Sequence, residues 1–128
     1  MTHDRRVVHT EQAPAAIGPY SQAVAAGGVL FCSGQIPIDP STGELVSGDI
    51  ADETRQVMRN LTAVIEAAGS SLDHVVRCTI YLTDLGDFAR VNEVYGSFFG
   101  DAPPARACVE VAALPKGARV EIDAIAAV

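Results

Sequence analysis

The chain has 128 residues, one domain's worth and enough to bury roughly two-thirds of its surface in a single core. Nine basic residues face sixteen acidic ones, a formal net charge of −7, and Lys116 is the one lysine. This balance argues against non-specific binding of nucleic acid or anionic membrane. A 48% apolar content argues against disorder, and no stretch supplies the ~20 apolar residues of a membrane span. The start, Met1-Thr-His-Asp-Arg-Arg6, leads into no apolar signal segment. Cys32, Cys78 and Cys108 are odd in number and lack CxxC spacing, so free thiols are expected rather than a disulfide framework or zinc knuckle. The expected class is a soluble, cytoplasmic, single domain over residues 1–128.

Val7-Val8-His9 is a short β-like run. Residues 13–22, with two prolines and a glycine, read as a loop. Ala23 to Ala26 and Val29 to Ser33 read as strands around a Gly27-Gly28 hairpin turn. Gly34-Gln-Ile-Pro37 leaves the second strand, and Asp39-Pro-Ser-Thr-Gly43 is turn chemistry. A helix follows, with Asp49 as N-cap and Asp52 and Glu53 in its first turn. Ile50, Thr54, Val57, Met58, Leu61, Val64, Ile65 and Ala68 form its inner stripe, Arg55, Arg59 and Glu66 lie off it, and Gly69 stops it.

His74 to Leu82 alternates, with Val76, Cys78, Ile80 and Leu82 on one face and Val75, Arg77, Thr79 and Tyr81 on the other. A second helix begins near Asp84 or Asp87, carries Phe88, Val91, Val94, Tyr95, Phe98 and Phe99 inward, and ends at Gly100. After Pro103-Pro104, two strands close the chain. Ala105, Ala107, Val109 and Val111 oppose Arg106, Cys108 and Glu110; after the Leu114–Gly117 loop, Val120, Ile122, Ala124, Ala126 and Val128 oppose Arg119, Glu121, Asp123, Ile125 and Ala127. The order is βββαβαββ, give or take a strand.

Two amphipathic helices cover one face of such a sheet. The other face is expected to carry Thr79, Tyr81, Arg106, Cys108, Glu121 and Ile125 together. That mix is too apolar for a solvated face and too charged for a core, and it suits a subunit interface or a polar ligand.

No phosphate-loop, dinucleotide-binding or nucleophile-elbow motif occurs. His3, His9 and His74 lie far apart at element ends, so solvated histidines and no metal site are expected. Asn60-Leu-Thr62 matches a glycosylation sequon but falls mid-helix. There is no aromatic or arginine motif for RNA. The candidates that remain are Arg106, Glu121, Ser33 and Tyr20. Arginine's planar fork binds a carboxylate bidentately, and a glutamate can hold a water or shuttle a proton. The plainer alternative is an Arg–Glu pair that neutralises itself.

Residues 13–23 (Ala-Pro-Ala-Ala-Ile-Gly-Pro-Tyr-Ser-Gln-Ala), Ser33-Gly-Gln-Ile-Pro37, Pro104-Ala-Arg-Ala-Cys-Val-Glu-Val111 and Leu114-Pro-Lys-Gly117 followed by Val120-Glu-Ile122 together resemble the RidA/YjgF family. The resemblance runs from about Ala13 to Ala126. It implies an α+β fold: a six-stranded mixed sheet with two helices on one face, chorismate-mutase-like, in a barrel-like homotrimer with clefts between subunits. It implies hydrolytic deamination of 2-iminobutanoate and 2-iminopropanoate to 2-oxo acids and ammonia, without metal or cofactor. Carried over by motif, Arg106 grips the substrate carboxylate, Glu121 positions the attacking water, and Ser33 and Tyr20 line the cleft. Gly34 and Cys108 contact ligand, Cys108 through its backbone, and Asn92 matches a further cleft position. The segment Gly100-Asp-Ala-Pro-Pro104 departs from the pattern: it is short, and Pro103 stands where many members carry an aromatic residue. The rival readings are a non-catalytic carboxylate-binding or chaperone-like trimer, an endoribonuclease, which the charge disfavours, and, weaker still, a mutase-like activity, which wants more cations per cleft.

Overall fold

A computed structural model describes residues 4–128, so His3 lies outside the described residues. Strands β1 (Arg5–Val8), β2 (Ala23–Ala26), β3 (Val29–Gln35), β6 (Val75–Leu82), β7 (Ala105–Glu110) and β8 (Val120–Ala127) form one sheet in the order β1-β2-β3-β8-β6-β7. All neighbours are antiparallel except β6 and β7, which run parallel. Helices α1 (Ile50–Ala67) and α2 (Phe88–Gly96) lie on one face. This is the mixed six-stranded sheet with two helices that the resemblance implied. A small hairpin, β4 (Ile38–Asp39) with β5 (Glu44–Leu45), is additional; the turn residues 39–43 form its tip.

Local chemistry explains most boundaries. Gly27 and Gly28 both have positive φ, 60° and 77°, as a two-residue hairpin loop requires. Asp49 caps α1: its carboxylate accepts from the Asp52 N–H, while Asp52 accepts from the Asp49 N–H, a reciprocal capping box. The inner stripe of α1 is buried from Ile50 to Ala68, Thr54 included; its hydroxyl donates to the Ile50 carbonyl. Helix α2 is shorter than its aromatic stripe suggested. It ends at Gly96 rather than Gly100, and Phe98 and Phe99 pack from the turn beyond.

Two bulges move residues from their expected faces. Between Val75 and Arg77 the register with β8 shifts by one residue, so Val75 is buried and Val76 is turned out to solvent, the reverse of the simple alternation. Between Cys32 and Gln35 a second shift inserts an extra residue at Ser33-Gly34. Strand β3 therefore runs two residues past the expected end at Ser33.

Strand β8 is central, and Val120, Ile122, Ala124 and Ala126 are all buried beneath α1. Arg119, just before it, was placed by alternation with Glu121. Instead its Nε donates to Glu53 Oε2 at 2.6 Å, a second guanidinium nitrogen also meets that oxygen, and it reaches the Gly48 carbonyl at 3.2 Å. Glu53 is only 7% exposed, so this ion pair clamps the start of α1 to the start of β8. Arg119→Ala leaves that buried carboxylate unpaired. Discounted for the half-exposed arginine, the expected loss is about 1–3 kcal/mol in urea unfolding, with Glu53→Gln milder.

Candidate active site

The structure sorts the sequence candidates into two groups on opposite faces of the sheet. Parallel pairing sets Cys78 opposite Arg106 and Ile80 opposite Cys108. Arg106 and Cys108 therefore point to the helix side, not to the open face with Thr79, Tyr81, Glu121 and Ile125 as alternation suggested. Alternation gives the parity within a strand; which parity faces the helices is decided by the pairing between strands.

On the helix side, the Arg106 guanidinium donates to Asn92 Oδ1 at 2.6 Å. Its carbon stands 5.4 Å from the Phe88 ring centroid and 5.2 Å from that of Tyr95, so α2 holds it by cation–π contact as well. Among the described residues, Arg106 has no carboxylate within 4.0 Å. The self-neutralising Arg–Glu pair is thus not formed within this chain. Most of the guanidinium fork remains free, and Asn92 orients it.

Cys108 is half-buried in the same region, and burial pushes its thiol up despite the nearby arginine. Burial does the same to Cys32, to about 12, and to Cys78. None of the three is poised as a thiolate nucleophile. The Tyr95 hydroxyl lies beside the Cys78 thiol, short of a proper hydrogen bond, and desolvation raises its pKa.

On the open side, Tyr20, Ser33, Gly34 and Glu121 share one cavity of about 420 Å³, also walled by Ile36 and Pro115. The bulge at Ser33-Gly34 presents both residues toward Glu121. Ser33 Oγ donates to the Ser21 carbonyl at 2.6 Å, so its proton is engaged and its lone pairs remain available. A Cβ on Gly34 would come within 2.8 Å of Glu121 Cδ. Glycine is therefore what lets the carboxylate lie flat against β3. Burial, then the Asp123 carboxylate, hold the Glu121 pKa above the usual range.

Two contributors escaped the sequence reading. Gln22 is buried inside the Ala13–Tyr20 loop. Its amide donates to the carbonyls of Thr10 and Pro14 at 2.9 Å and accepts from the Thr10 N–H at 2.7 Å. The signal was present, a glutamine closing a loop rich in Pro and Gly whose backbone groups need partners. Asp123 accepts from Tyr81 Oη and the Thr79 N–H, both at 3.1 Å, and so organises the open face. His9 and His74 are exposed at element ends, and among the described residues no cluster of His, Cys, Asp or Glu could hold a metal ion. Asn60, of the sequon, is 1% exposed and bonded inward.

A profile of the family described as endoribonuclease L-PSP matches residues 10–128. The chain belongs to this family, also called RidA/YjgF. It is 64% identical over 124 residues to protein DfrA of Myxococcus xanthus, covering 95% of each chain. It is 51% identical over 122 residues to the human 2-iminobutanoate/2-iminopropanoate deaminase, covering 95% of this chain and 89% of that one. A Rid-family protein of unknown function, YyfA from Yersinia pestis, superposes with a TM-score of 0.95 at 51% identity, covering 98% of this chain and 100% of the other. The two-face arrangement of arginine and glutamate is thus found on a RidA-like backbone. No helix among the described residues is long and apolar enough to cross a membrane.

Gly34→Ala is expected to fold with an unchanged urea midpoint, because Gly34 does not have a positive φ. Its crystal structure should show the Glu121 carboxylate displaced by about 1 Å or more, since the new Cβ and the carboxylate cannot share the space. An unmoved carboxylate would mean that Gly34 does not set its position.

Proposed function

We propose that the protein hydrolyses reactive 2-imino acids, such as 2-iminobutanoate and 2-iminopropanoate, to 2-oxo acids and ammonia, in clefts between subunits of a homotrimer. The observation that carries this reading is Arg106: a guanidinium oriented by Asn92 and two rings, with no acid partner among the described residues. Such a group is prepared for a carboxylate brought from elsewhere. The human relative named as an imine deaminase supports the choice of substrate.

Arg106 and Glu121 lie on opposite faces of one sheet, so one chain does not offer both to a small molecule. A second copy does, by presenting its β7 edge and α2 to the cavity beside Glu121. The half-exposed Phe31 and Val109 on the open face favour such burial. Within the assembled cleft, Arg106 of one subunit holds the carboxylate. Tyr20, Ser33, Gly34 and Glu121 of the neighbour face the imine carbon, and the Cys108 backbone borders the ligand. Ser33, its proton committed to Ser21, accepts a hydrogen bond from the iminium N–H or from water.

The chemistry then needs little beyond positioning. Water adds to the carbon of the protonated imine while Glu121 accepts a proton from it. The C=N π electrons move to nitrogen, giving a neutral carbinolamine. Glu121 returns its proton to nitrogen; the C–N bond then breaks as the hydroxyl oxygen forms the C=O bond and gives its proton back to the Glu121 carboxylate, and the departing ammonia carries that proton away as ammonium. A carboxylate whose proton affinity is raised by burial suits these transfers. No step uses a thiolate, metal or cofactor. The excess of acids over bases, sixteen to nine, weighs against the RNA cleavage that the family description names.

With imines generated in situ by an amino-acid oxidase, Arg106→Lys is expected to lose about 10- to 100-fold in kcat/KM. The lysine keeps the charge but loses the bidentate fork. Glu121→Gln should lower kcat with little change in KM. Unchanged turnover by either folded variant would overturn its assigned role.

Stability should move the other way. A folded-state pKa above the unfolded value means that ionised Glu121 destabilises the fold once pH rises through that pKa. Glu121→Gln is therefore expected to raise Tm at neutral pH, with the gain vanishing below the ordinary glutamate pKa of about 4.3. A gain that persists unchanged in acid would mean that burial of the charge is not its source.

A further inference from the structure

In the single chain the cavity beside Glu121 is broad, with an extensive apolar wall. At about 420 Å³ it lies within the range of ~300–1,000 Å³ that accommodates drug-sized ligands. Its polar residues, Tyr20, Gln22, Ser33, Gln35 and Glu121, share the lining with Pro14, Ile17, Ile36, Ile38 and Pro115. Two of the apolar segments are pinned from outside. Gln22 holds residues 10–14 at the foot of the Ile17 loop. The buried Asn60 amide of α1 donates to the Ile36 and Ile38 carbonyls at 3.3 and 2.8 Å. Ile17 stands at the rim, 70% exposed among the described residues.

Orientation is constrained by the groups already placed. The imine carbon must face Glu121, and the carboxylate must reach Arg106 of the other copy. The remaining substituent on that carbon is the side chain of the parent amino acid, and the apolar wall lies on the same cavity. A pocket with isoleucines fixed by buried amides is preformed, so filling it loses little to ordering.

We propose that the Ile17–Ile36–Ile38 wall is a side-chain subsite, and that it makes the enzyme prefer 2-imino acids with long aliphatic side chains, of the leucine- and methionine-derived class, over the alanine-derived one. This rests on the reading of Glu121 as the group that faces the reacting carbon. Each methylene moved from water into such a wall is worth about three- to fourfold in kcat/KM when fully buried, and about twofold where the cavity stays open.

The test compares turnover of alanine-, 2-aminobutyrate-, methionine- and leucine-derived imines, each corrected for spontaneous hydrolysis, in the intact protein and in Ile36→Ala and Ile17→Ser. In parallel, calorimetry measures binding of pyruvate, 2-oxobutanoate and 4-methyl-2-oxopentanoate. The expected result is kcat/KM rising with side-chain length, by about tenfold or more from alanine- to leucine-derived imine. That ratio should fall by at least about threefold in Ile36→Ala and less in Ile17→Ser, whose side chain is at the rim.

A flat or falling length profile, with the small imines turned over, overturns the subsite and leaves the deaminase reading standing. A ratio unchanged in Ile36→Ala likewise overturns it. If no imine is turned over but 2-oxo acid affinity rises with length and drops in Ile36→Ala, the subsite stands and the deaminase reading falls. Affinity that does not rise with length overturns the subsite whatever the turnover.

Discussion

Strand β8 is the constraint on which the rest depends. It lies at the centre of the sheet, and Val120, Ile122, Ala124 and Ala126 must all face α1, because they supply much of the core beneath that helix. A strand's side chains alternate without exception unless a bulge intervenes. Burying the even-numbered residues therefore forces Glu121 and Asp123 onto the opposite face. The hydrophobic effect that stabilises the fold is what places these two carboxylates on the open face, among Phe31, Arg77, Thr79 and Ile125. The Glu53–Arg119 clamp sets where that strand begins.

The placement is costly, and the structure shows how the cost is handled differently at the two acids. Asp123 has its charge met by a tyrosine hydroxyl and a backbone N–H. Glu121 has no such donors among the described residues. It lies in a cleft made by the absence of a side chain at Gly34, with Asp123 nearby adding repulsion. One carboxylate is structural and satisfied; the other keeps unused proton affinity. A residue held in this state is a common sign of catalytic rather than structural use.

Arg106 presents the complementary case. It is a cation fixed by an amide oxygen and two aromatic faces, on the helix side of an edge strand. Neither half is complete: the acid has a cavity and no anchor, the base an anchor and no cavity. Their separation by the thickness of the sheet connects the proposed chemistry to proposed assembly. A cleft shared between chains also offers a route to water exclusion that one exposed face lacks.

Much of this was legible in the sequence. The α1 boundaries, its cap and its stripe follow from local spacing and capping chemistry, and the β2–β3 hairpin from two adjacent glycines. Motif resemblance picked out Tyr20, Ser33, Gly34, Asn92, Arg106, Cys108 and Glu121, and the structure assembles all seven into two clusters. Sequence periodicity did not reveal the faces of Val75 and Val76, the reach of Arg119 back to Glu53, the early end of α2, or the side on which Arg106 emerges. Each of these depends on a partner distant in the chain: a bulge against β8, a buried acid in α1, the parallel register with β6. Local spacing determines which residues travel together along an element. Only the packing of one element on another decides which way they face, because the core to be buried is a property of the whole sheet.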